Sequence, residues 1–482
     1  MRDLVAWVAL LAGCASPTGP AGVHRPAWSD PSDTTVSQPD PTSAEDRLRA
    51  IAAATGHIVQ DGQLTFASYD GCCDEGADCL GNNPGTPYGT YAVPPAPTEV
   101  PTAAPDVFAP WGGVPAGLYR DFRFRQDEAL VLIGRLPPQA KYFGLRSYLD
   151  IRVDEDTGAR DQVFASLGPS LNNLVVADER GVAPDALAGG EFIVVTTADR
   201  AVEDAVSGWL AEAGFDMANV HYDRMTYEVA RFGVHPQADT FSVQWRIAVP
   251  SDPAAMDAYR QDPGAVVLRI TPSAELAAVE PHPWPVLPPS GSGQTEAYLV
   301  GASRLLQLAI LAHHSSLEAS VEPVWLANVD TLTCIPECGI ADIHDRFTAK
   351  GDYFTLAEDE FMVVYGPNHE LTGKASYASF AFMNEANQYG FLDVDSAEMA
   401  DSARFYLPNH PLAGDLYAYT VARSCAGHSE PCVEIPTDCP FPDLDTQMKL
   451  TIRAYLEPST GSAPIASELL LDQMVRFRPA AG

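Results

Sequence analysis

Hydrophobic residues in the first half of the chain recur in short runs and alternations that are typical of β-strands. Residues 129–134 form a continuous apolar run with the length of one buried strand. Residues 141–153 alternate between apolar and polar side chains, which predicts a strand with one face in solvent. Residues 162–167 follow the turn-forming segment 154–158, so we expect the two strands to pair as a hairpin.

The same periodicities predict the other elements of the chain. Further strands are predicted at 191–197, 241–249, 265–270, 361–365, 377–383, 416–422 and 448–455. Helices are predicted after the capping residue Ser43, at 201–213 and at 294–314. The last helix contains a nearly continuous apolar run at 305–312, which predicts burial on most of its sides. Together these elements indicate an α+β fold, a sheet-rich body with a few helices.

A proline-rich segment separates two halves of this pattern. Residues 278–293 contain five prolines and two glycines, a composition that is typical of a linker. We therefore predict an N-terminal α+β domain at 46–277 and a C-terminal α+β domain at 294–482. No internal repeat of useful period is visible in either half.

The N-terminus follows a different pattern. Residues 4–12 form an apolar run that follows Arg2, is too short to span a membrane, and leads into Gly13 and Cys14. The sequence Leu11-Ala12-Gly13-Cys14 resembles the end of a bacterial lipoprotein signal peptide. The resemblance implies that residues 1–13 are removed and that Cys14 carries a lipid such as palmitate, which anchors the protein in a membrane. Ala15 implies, by the same resemblance, the outer rather than the inner membrane.

An ordinary secretory signal is the alternative interpretation of this N-terminus. It would be cut at a nearby small residue and would leave a soluble exported protein. Residues 14–45 are predicted to be the lipid-modified cysteine and a disordered linker, since Pro, Ser and Thr fill 15 of the 31 positions from 15 to 45. Such a segment buries too little apolar surface to offset the entropy of ordering it.

The chain is strongly acidic, with 64 acidic and 29 basic residues and a formal net charge of −35. A surface of this sign repels nucleic acid, so nucleic-acid binding is excluded as a function. A solvated surface on an exported protein explains the charge. Affinity for divalent cations or basic partners is the alternative.

Eight cysteines remain besides Cys14. They form three clusters along the chain: Cys72, Cys73 and Cys79; Cys334 and Cys338; and Cys425, Cys432 and Cys439. An even number of cysteines in an exported chain predicts four disulfides. Because a cluster of three cannot pair completely within itself, we expect a bridge between clusters, most simply between the 72–79 and 425–439 loops. A zinc site is the alternative, but the paired CxxC spacing of a zinc ribbon is absent.

One segment of the first half resembles a known group of proteins. Asn82-Asn83-Pro-Gly-Thr86-Pro-Tyr88, with Lys141-Tyr142-Phe143 in a later strand, resembles an Asn-Asn-Asp-Thr-x-Tyr segment of uncharacterised β-rich bacterial envelope proteins. Here Pro-Gly replaces the Asp and shifts the spacing by one residue. The resemblance implies a sheet-rich architecture and does not imply a reaction.

Local motifs of known catalytic sites are absent from the sequence. There is no GxSxG, HExxH, Rossmann or P-loop pattern. Asp342-x-His344-Asp345 has the composition of a base with an orienting carboxylate, or of two metal ligands. A structural polar loop is the alternative. His369 completes the set of candidate catalytic residues, which consists of His344, Asp342 and His369.

Three acidic or histidine-containing segments are candidate ion sites. Asp154, Asp156 and Asp161 have the spacing of a loose calcium loop, with an acidic hairpin turn as the alternative. The segment 393–398 has the carboxylates of a calcium loop or of a helix N-terminus. The segment 313–314 contains two histidines whose positions at the end of a predicted helix favour an interaction with the helix dipole. The sequence thus identifies no cofactor, and calcium is the ion for which it offers candidate ligands.

Two functions remain open at this point. The first is an exported, lipid-anchored protein of the cell envelope that contacts the membrane through Cys14 and acts as a binding or structural module. The alternative is an exported hydrolase whose site is assembled from His344, Asp342 and His369. The absence of a local catalytic motif favours the first function, although many sites leave no local trace.

Overall fold

The computed structural model of the protein describes residues 43–73, 77–99, 108–154, 156–276, 278–327, 344–437 and 443–480. The chain from Ser43 onward forms one compact unit. In the described residues strand dominates over helix, which confirms the predicted sheet-rich α+β class. The signal segment, Cys14 and nearly all of the predicted linker lie outside the described residues.

The first half of the chain forms one ten-stranded sheet. Its strands are β1 (His57–Phe66), β2 (Tyr88–Ala92), β3 (Ala129–Arg135), β4 (Ala140–Val153), β5 (Arg160–Ser166), β6 (Leu171–Asn172), β7 (Glu191–Thr197), β8 (Val220–Arg224), β9 (Thr240–Pro250) and β10 (Val266–Pro272). The strand order is β5-β4-β9-β2-β1-β10-β3-β7-β8, and β6 pairs beside β4. The predicted hairpin is confirmed, because β4 and β5 pair antiparallel across the turn that follows Val153.

The second half forms two five-stranded sheets. One has the order β11-β20-β14-β17-β18 and contains Leu317–Glu322 (β11), Phe361–Pro367 (β14), Leu416–Ala422 (β17), Cys432–Glu434 (β18) and Gln473–Pro479 (β20). The other has the order β12-β13-β19-β15-β16 and contains Val324–Leu326 (β12), Arg346–Gly351 (β13), Tyr377–Asn384 (β15), Gly390–Asp395 (β16) and Met448–Tyr455 (β19). A shared apolar core between these sheets includes Met362 and Val364 from the first and Phe380 and Ile452 from the second.

Six α-helices cover the sheets in the described residues. They are α1 (Ala44–Ala54), α2 (Asn173–Arg180), α3 (Arg200–Ala213), α4 (Pro253–Gln261), α5 (Val300–His313) and α6 (Ser396–Met399). Helix α1 begins at a capping box in which the side chains of Ser43 and Asp46 each bond the other's backbone N–H. Among the described residues, no helix is long and apolar enough to cross a membrane.

Helix α5 is less buried than its apolar run predicts. Leu306 and Ile310 pack into the core beside β14 and β20, whereas 48% of Leu305 and 56% of Leu308 are exposed. The prediction of burial on most sides is therefore wrong. The helix rests on one face of a sheet, and Val300, Leu305 and Leu308 are exposed on its outer side.

The proline-rich segment lies between the two sets of strands. All strands of the large sheet precede it, and all strands of the two smaller sheets follow it. Pro281 forms a bridge with Asp199 of the first half, while Ser292 donates its backbone N–H to Glu468 of the second half at 3.1 Å. Since both halves belong to one compact unit, their division into separate domains at this segment stays a prediction.

The disulfides of the described residues are local. Cys72 bonds Cys79, and Cys425 bonds Cys432, in each case seven residues along the chain. Disulfide bonding is therefore confirmed, but these four cysteines do not form the expected bridge between clusters. Each finds its partner within its own cluster, where the Cα atoms lie 6.0 Å and 5.8 Å apart.

One other predicted disulfide residue lies in the described part of the chain. Cys73 is exposed at the surface. Cys334, Cys338 and Cys439 lie outside the described residues. The two halves are joined near the first disulfide by hydrogen bonds: Cys79 donates its N–H to the Asn387 carbonyl at 2.7 Å, and the Asn387 amide donates to the Cys72 carbonyl at 2.8 Å.

Candidate functional site

The polar face of β4 is buried, so the prediction that this face lies in solvent is wrong. Tyr142, Arg146 and Tyr148 alternate along the strand on one face, and all three side chains are almost completely inaccessible. The second half of the chain covers them. Tyr142 packs against Tyr455 with ring centroids 4.7 Å apart and donates a hydrogen bond to Asp345 Oδ2 at 3.1 Å.

Arg246 lies at the middle of the same buried face. The register of β9 places it opposite Gly144 of β4 and, on its other side, opposite Tyr88 of β2. Its guanidinium carbon lies 5.4 Å from the Tyr88 ring centroid and 5.1 Å from that of Tyr148, distances at which a cation interacts with a ring face. It donates to the Tyr148 hydroxyl and, at 3.2 Å, to Gln244 Oε1.

Arg146 flanks the same tyrosine from the neighbouring position. Its guanidinium carbon lies 5.7 Å from the Tyr148 ring centroid, and it donates to Ser170 Oγ at 3.4 Å. Neither Arg146 nor Arg246 forms an ion pair in the described residues, since no carboxylate oxygen there lies within 4.0 Å of their side-chain nitrogens. The Nε and one Nη atom of Arg146 and the Nε of Arg246 are buried without a hydrogen-bond partner there.

The segment that resembles the envelope proteins reaches this same place. Asn83 donates its amide to the Tyr377 hydroxyl at 3.1 Å, and its backbone N–H donates to the Tyr88 hydroxyl at 3.1 Å. Tyr377 in turn stacks on Tyr455, with ring centroids 5.2 Å apart. Residues from both halves thus form one buried group, which we call the polar centre: Asn83, Tyr88, Tyr142, Arg146, Tyr148, Arg246, Asp345, Tyr377 and Tyr455.

Burial raises the pKa of two carboxyl groups in this part of the fold, Asp345 in the polar centre and Asp150 of β4. Burial raises the pKa of Asp345, although the Arg146 charge and the Tyr142 hydrogen bond oppose this. Burial and the charge of Asp121 raise the pKa of Asp150 well above its ordinary value. Arginine stays protonated in proteins. The polar centre thus places two guanidinium groups in the interior of a chain whose net charge is −35.

His369 lies elsewhere and is held between two carboxylates. Its Nδ1 lies 2.8 Å from Glu296 Oε1 and its Nε2 lies 3.3 Å from Asp472 Oδ2, with all three side chains buried. Burial alone would lower the pKa of His369, but the charge of Glu296 and the hydrogen bonds to both carboxylates raise it to about 10. With both nitrogens protonated, the ring has no lone pair to accept a proton. This arrangement does not favour the predicted catalytic role of His369.

His344 is not brought together with His369 by any shared partner in the described residues. Its Nε2 lies 3.5 Å from Ser166 Oγ of β5, and its carbonyl accepts the Ala463 N–H at 2.9 Å. Asp342, the predicted orienting carboxylate, lies outside the described residues.

The candidate calcium residues form local turns. Asp154 Oδ1 accepts hydrogen bonds from the backbone and hydroxyl of Thr157 and from the Asp156 backbone, while Asp161 lies in β5. Among the described residues these aspartates do not belong to any converging group of three potential ligands. The structure favours the acidic hairpin turn. At the other candidate, Asp395 caps α6 through the N–H groups of residues 397 and 398, as a helix N-terminus does.

The two histidines at the end of α5 meet a buried carboxylate. His313 Nε2 lies 3.8 Å from Glu430 Oε2, His314 Nε2 lies 3.6 Å from Glu430 Oε1, and His428 Nδ1 lies 2.7 Å from that same oxygen. Burial lowers the pKa of His314 to about 4, against the attraction of the Glu430 charge, so its ring is neutral at pH 7. We call these four residues the histidine cluster.

Comparisons with known proteins add little to this geometry. No protein-family model and no curated protein matches the sequence. A solved structure, the N-terminal CBM22-1-CBM22-2 tandem domain from Paenibacillus barcinonensis Xyn10C, aligns over 89% of this chain and 94% of its own length. The aligned residues are 8% identical and the TM-score is 0.14, so the similarity carries no conclusion about fold or function.

No local sequence pattern predicts most residues of the polar centre or half of the histidine cluster as parts of a site. The alternation of β4 marks Arg146 and Tyr148 as sharing a face, but it cannot show that this face is covered. Nothing near Glu430 in the sequence indicates that two histidines more than a hundred residues earlier approach it.

Proposed function

We propose that this is an exported, lipid-anchored protein of the cell envelope, held in the outer membrane by the lipid on Cys14. The sequence Leu11-Ala12-Gly13-Cys14 supports the anchor. The disulfides of the folded body support an oxidising compartment, because such bonds are rare in the cytosol.

Replacing Cys14 with serine is expected to move most of the protein from the washed membrane fraction to the soluble periplasmic fraction. Serine has no thiol to accept the lipid, and a body without a lipid loses its anchor. Fractionation followed by immunoblotting measures the distribution, with Ser16→Ala as the matched control that stays in the membrane. Retention of Cys14→Ser in the washed membranes would show that another segment holds the protein there.

We propose further that the folded body is a binding module for a small oxyanion, such as a carboxylate or phosphate group, at the polar centre. One observation carries this proposal. The guanidinium groups of Arg146 and Arg246 are buried beside Tyr148 with N–H groups unused and, among the described residues, without a carboxylate within 4.0 Å.

Two physical arguments connect that observation with an anion. A buried charge costs several kcal/mol unless it is paired, and burial raises the pKa of Asp345, the carboxyl group of the polar centre. A bound oxyanion supplies the missing charge. The planar guanidinium fork also matches two oxygens of a carboxylate or phosphate, and the flanking tyrosines exclude water from the pair.

An oxyanion is expected to stabilise the purified, detergent-solubilised protein, and the arginines are expected to be required for this effect. At 100 times its Kd a ligand raises the free energy of unfolding by about 2.7 kcal/mol, which raises the unfolding temperature by several degrees. Thermal unfolding is measured with acetate, succinate, phosphate and sulfate, each against sodium chloride at equal ionic strength.

Variants separate binding from the general stabilisation that phosphate and sulfate give to many proteins. Arg146→Gln and Arg246→Gln are expected to lose the anion-dependent shift, and Arg200→Gln, an exposed arginine, is expected to keep it. The relative size of the carboxylate and phosphate shifts identifies the group that is bound. An equal shift in all four proteins would overturn the proposed ligand.

The described residues do not place the candidate catalytic histidines in an arrangement that supports the alternative function, a hydrolase. His369 is occupied on both nitrogens, and His344 contacts a serine that is completely buried. The binding module is therefore the function that we propose.

A further inference from the structure

The histidine cluster forms where the end of helix α5 meets a loop from later in the chain. His313 is the last residue of α5, and His314 already leaves the helical conformation with φ −101° and ψ 28°. Adjacent side chains on a helix point about 100° apart. Here the helix ends between the two residues, and their ring centroids lie only 4.7 Å apart. Both Nε2 atoms therefore reach the same carboxylate.

A disulfide-closed loop supplies the other side of the cluster. Cys425 and Cys432 close a loop whose residues include His428 and Glu430. Thr420 of β17 donates its hydroxyl to Glu430 Oε1 at 3.3 Å, and Ser429 donates its backbone N–H to Oε2 at 3.0 Å. The Glu430 side chain is 2% exposed. Its position is thus set by the strand, the loop and His428 together.

The spacing of the donor atoms is close to that of a metal site. The ligand atoms of His313, His314 and Glu430 all lie within 4.8 Å of one another, and no other such group of three occurs among the described residues. In a tetrahedral zinc site with bonds of 2.0–2.1 Å, donor atoms lie ~3.4 Å apart. The distances from the two Nε2 atoms to the nearest Glu430 oxygens, 3.8 Å for His313 and 3.6 Å for His314, are close to this value.

We propose that His313, His314 and Glu430 bind a divalent transition-metal ion of the zinc class, with His428 as a positioning residue that holds the Glu430 carboxylate. Imidazole nitrogens with one carboxylate oxygen suit zinc and its neighbours, whereas calcium selects oxygen ligands alone. His313 is 40% exposed, so an ion reaches the cluster from solvent. Three protein ligands leave a fourth position for water or for a group from a partner.

The aromatic residues around the histidine cluster are more consistent with a metal site than with an open acidic surface. His314 packs against Phe361 and Phe477 with ring centroids 4.9 Å and 4.7 Å away, and His428 packs against Phe361 at 4.7 Å. The Tyr406 hydroxyl lies 3.4 Å from His314 Nε2. Aromatic side chains therefore limit the ring orientations and shield the carboxylate, as the surroundings of metal ligands do.

Cobalt and zinc titrations of the chelator-treated, detergent-solubilised full chain test the proposal. We expect one Co²⁺ per chain with the intense visible absorption of tetrahedral coordination, displaced by one equivalent of Zn²⁺ and not by excess Ca²⁺. His314→Gln and Glu430→Gln are expected to weaken Zn²⁺ binding by at least about 100-fold, and His428→Gln by about 10–100-fold. His235→Gln, an exposed histidine elsewhere, is the matched control and is expected to keep the affinity of the unmodified protein.

A variant of the exposed His313 tests the site even if a substitution of Glu430 prevents folding. His313→Gln alters a side chain at the surface and is expected to remove the visible band while the unfolding temperature of the metal-free protein stays unchanged. Absence of the band in the unmodified protein, displacement by Ca²⁺, or unchanged affinity in His313→Gln and His314→Gln would each overturn the proposed site. These outcomes are independent of the anion response of the arginine variants.

Discussion

Replacing His369 with glutamine is expected to lower the free energy of unfolding by about 3–5 kcal/mol. The imidazolium of His369 is the positive charge between Glu296 and Asp472, and all three side chains are buried. Its removal leaves two carboxylates facing each other without a counter-charge. Thr372 still donates to Glu296 at 2.6 Å and Tyr417 to Asp472 at 2.7 Å, but neutral donors do not replace the lost cation.

The pH dependence of unfolding provides a second measure of the same interaction. The pKa of His369 is about 10 in the folded protein, above its ordinary value of 6.5, because the attraction of Glu296 and Asp472 outweighs the effect of burial. The stabilisation by His369 is therefore complete below pH 6.5 and is lost as the pH rises toward 10. We expect the difference in unfolding free energy between the unmodified protein and His369→Gln to shrink across this range.

Denaturant unfolding at several pH values measures both effects. His235→Gln is the control, since this side chain is exposed, and it is expected to change the free energy of unfolding by less than about 0.5 kcal/mol. If the His369→Gln difference stayed constant from pH 6 to pH 10, His369 would not be the charged partner of these carboxylates.

Replacing Arg269 with methionine is expected to lower the free energy of unfolding by a similar amount, about 3–5 kcal/mol. Arg269 of β10 and Glu128 are both completely buried, with Nη2 and Oε1 2.5 Å apart and Nε and Oε2 3.1 Å apart. The substitution leaves the Glu128 carboxylate with the Thr271 hydroxyl and the Arg125 backbone N–H as its donors in the described residues. A buried carboxylate without a cation is strongly destabilising.

The double variant Arg269→Met with Glu128→Gln makes this prediction specific. Removal of both charges is expected to recover a large part of the lost stability, because a buried ion pair costs its desolvation as well as giving its attraction. Arg478→Met is the matched control, since its pair with Glu318 is exposed and contributes at most about 1 kcal/mol. Equal losses in the single and double variants would assign the effect to packing instead of charge.

Local patterns predicted the elements but not how the elements cover one another. The β4–β5 hairpin and the cap of α1 depend on neighbouring residues, and both occur as predicted. The burial of the polar face of β4 depends on contacts such as the one from Tyr142 to Asp345, which lies 203 residues away. Alternation shows that a strand has two different faces, and it does not show whether the polar face meets solvent or another half of the chain.

The roles of the histidines also depend on residues that are distant in sequence, so local patterns did not predict them. His369 was a sound candidate base from its residue type alone, but its proton affinity is set by Glu296 and Asp472, which are distant in sequence. The histidines at 313 and 314 do lie at the end of α5, as the sequence predicts, but periodicity does not show which residue is the last in the helix or what surrounds it. Their approach to Glu430 requires the end of α5 at His313 and the placement of a loop more than a hundred residues later.

The local closure of the two disulfides in the described residues has a consequence for the order of folding. Each bond joins cysteines only seven residues apart, so each can form once its own short segment is folded and oxidised. Neither bond needs the other half of the chain. The contacts between the halves, by contrast, join residues that are distant in sequence, such as Cys79 and Asn387. We therefore expect assembly in two stages, early covalent closure of these small loops and later docking of the halves by hydrogen bonds and ring contacts.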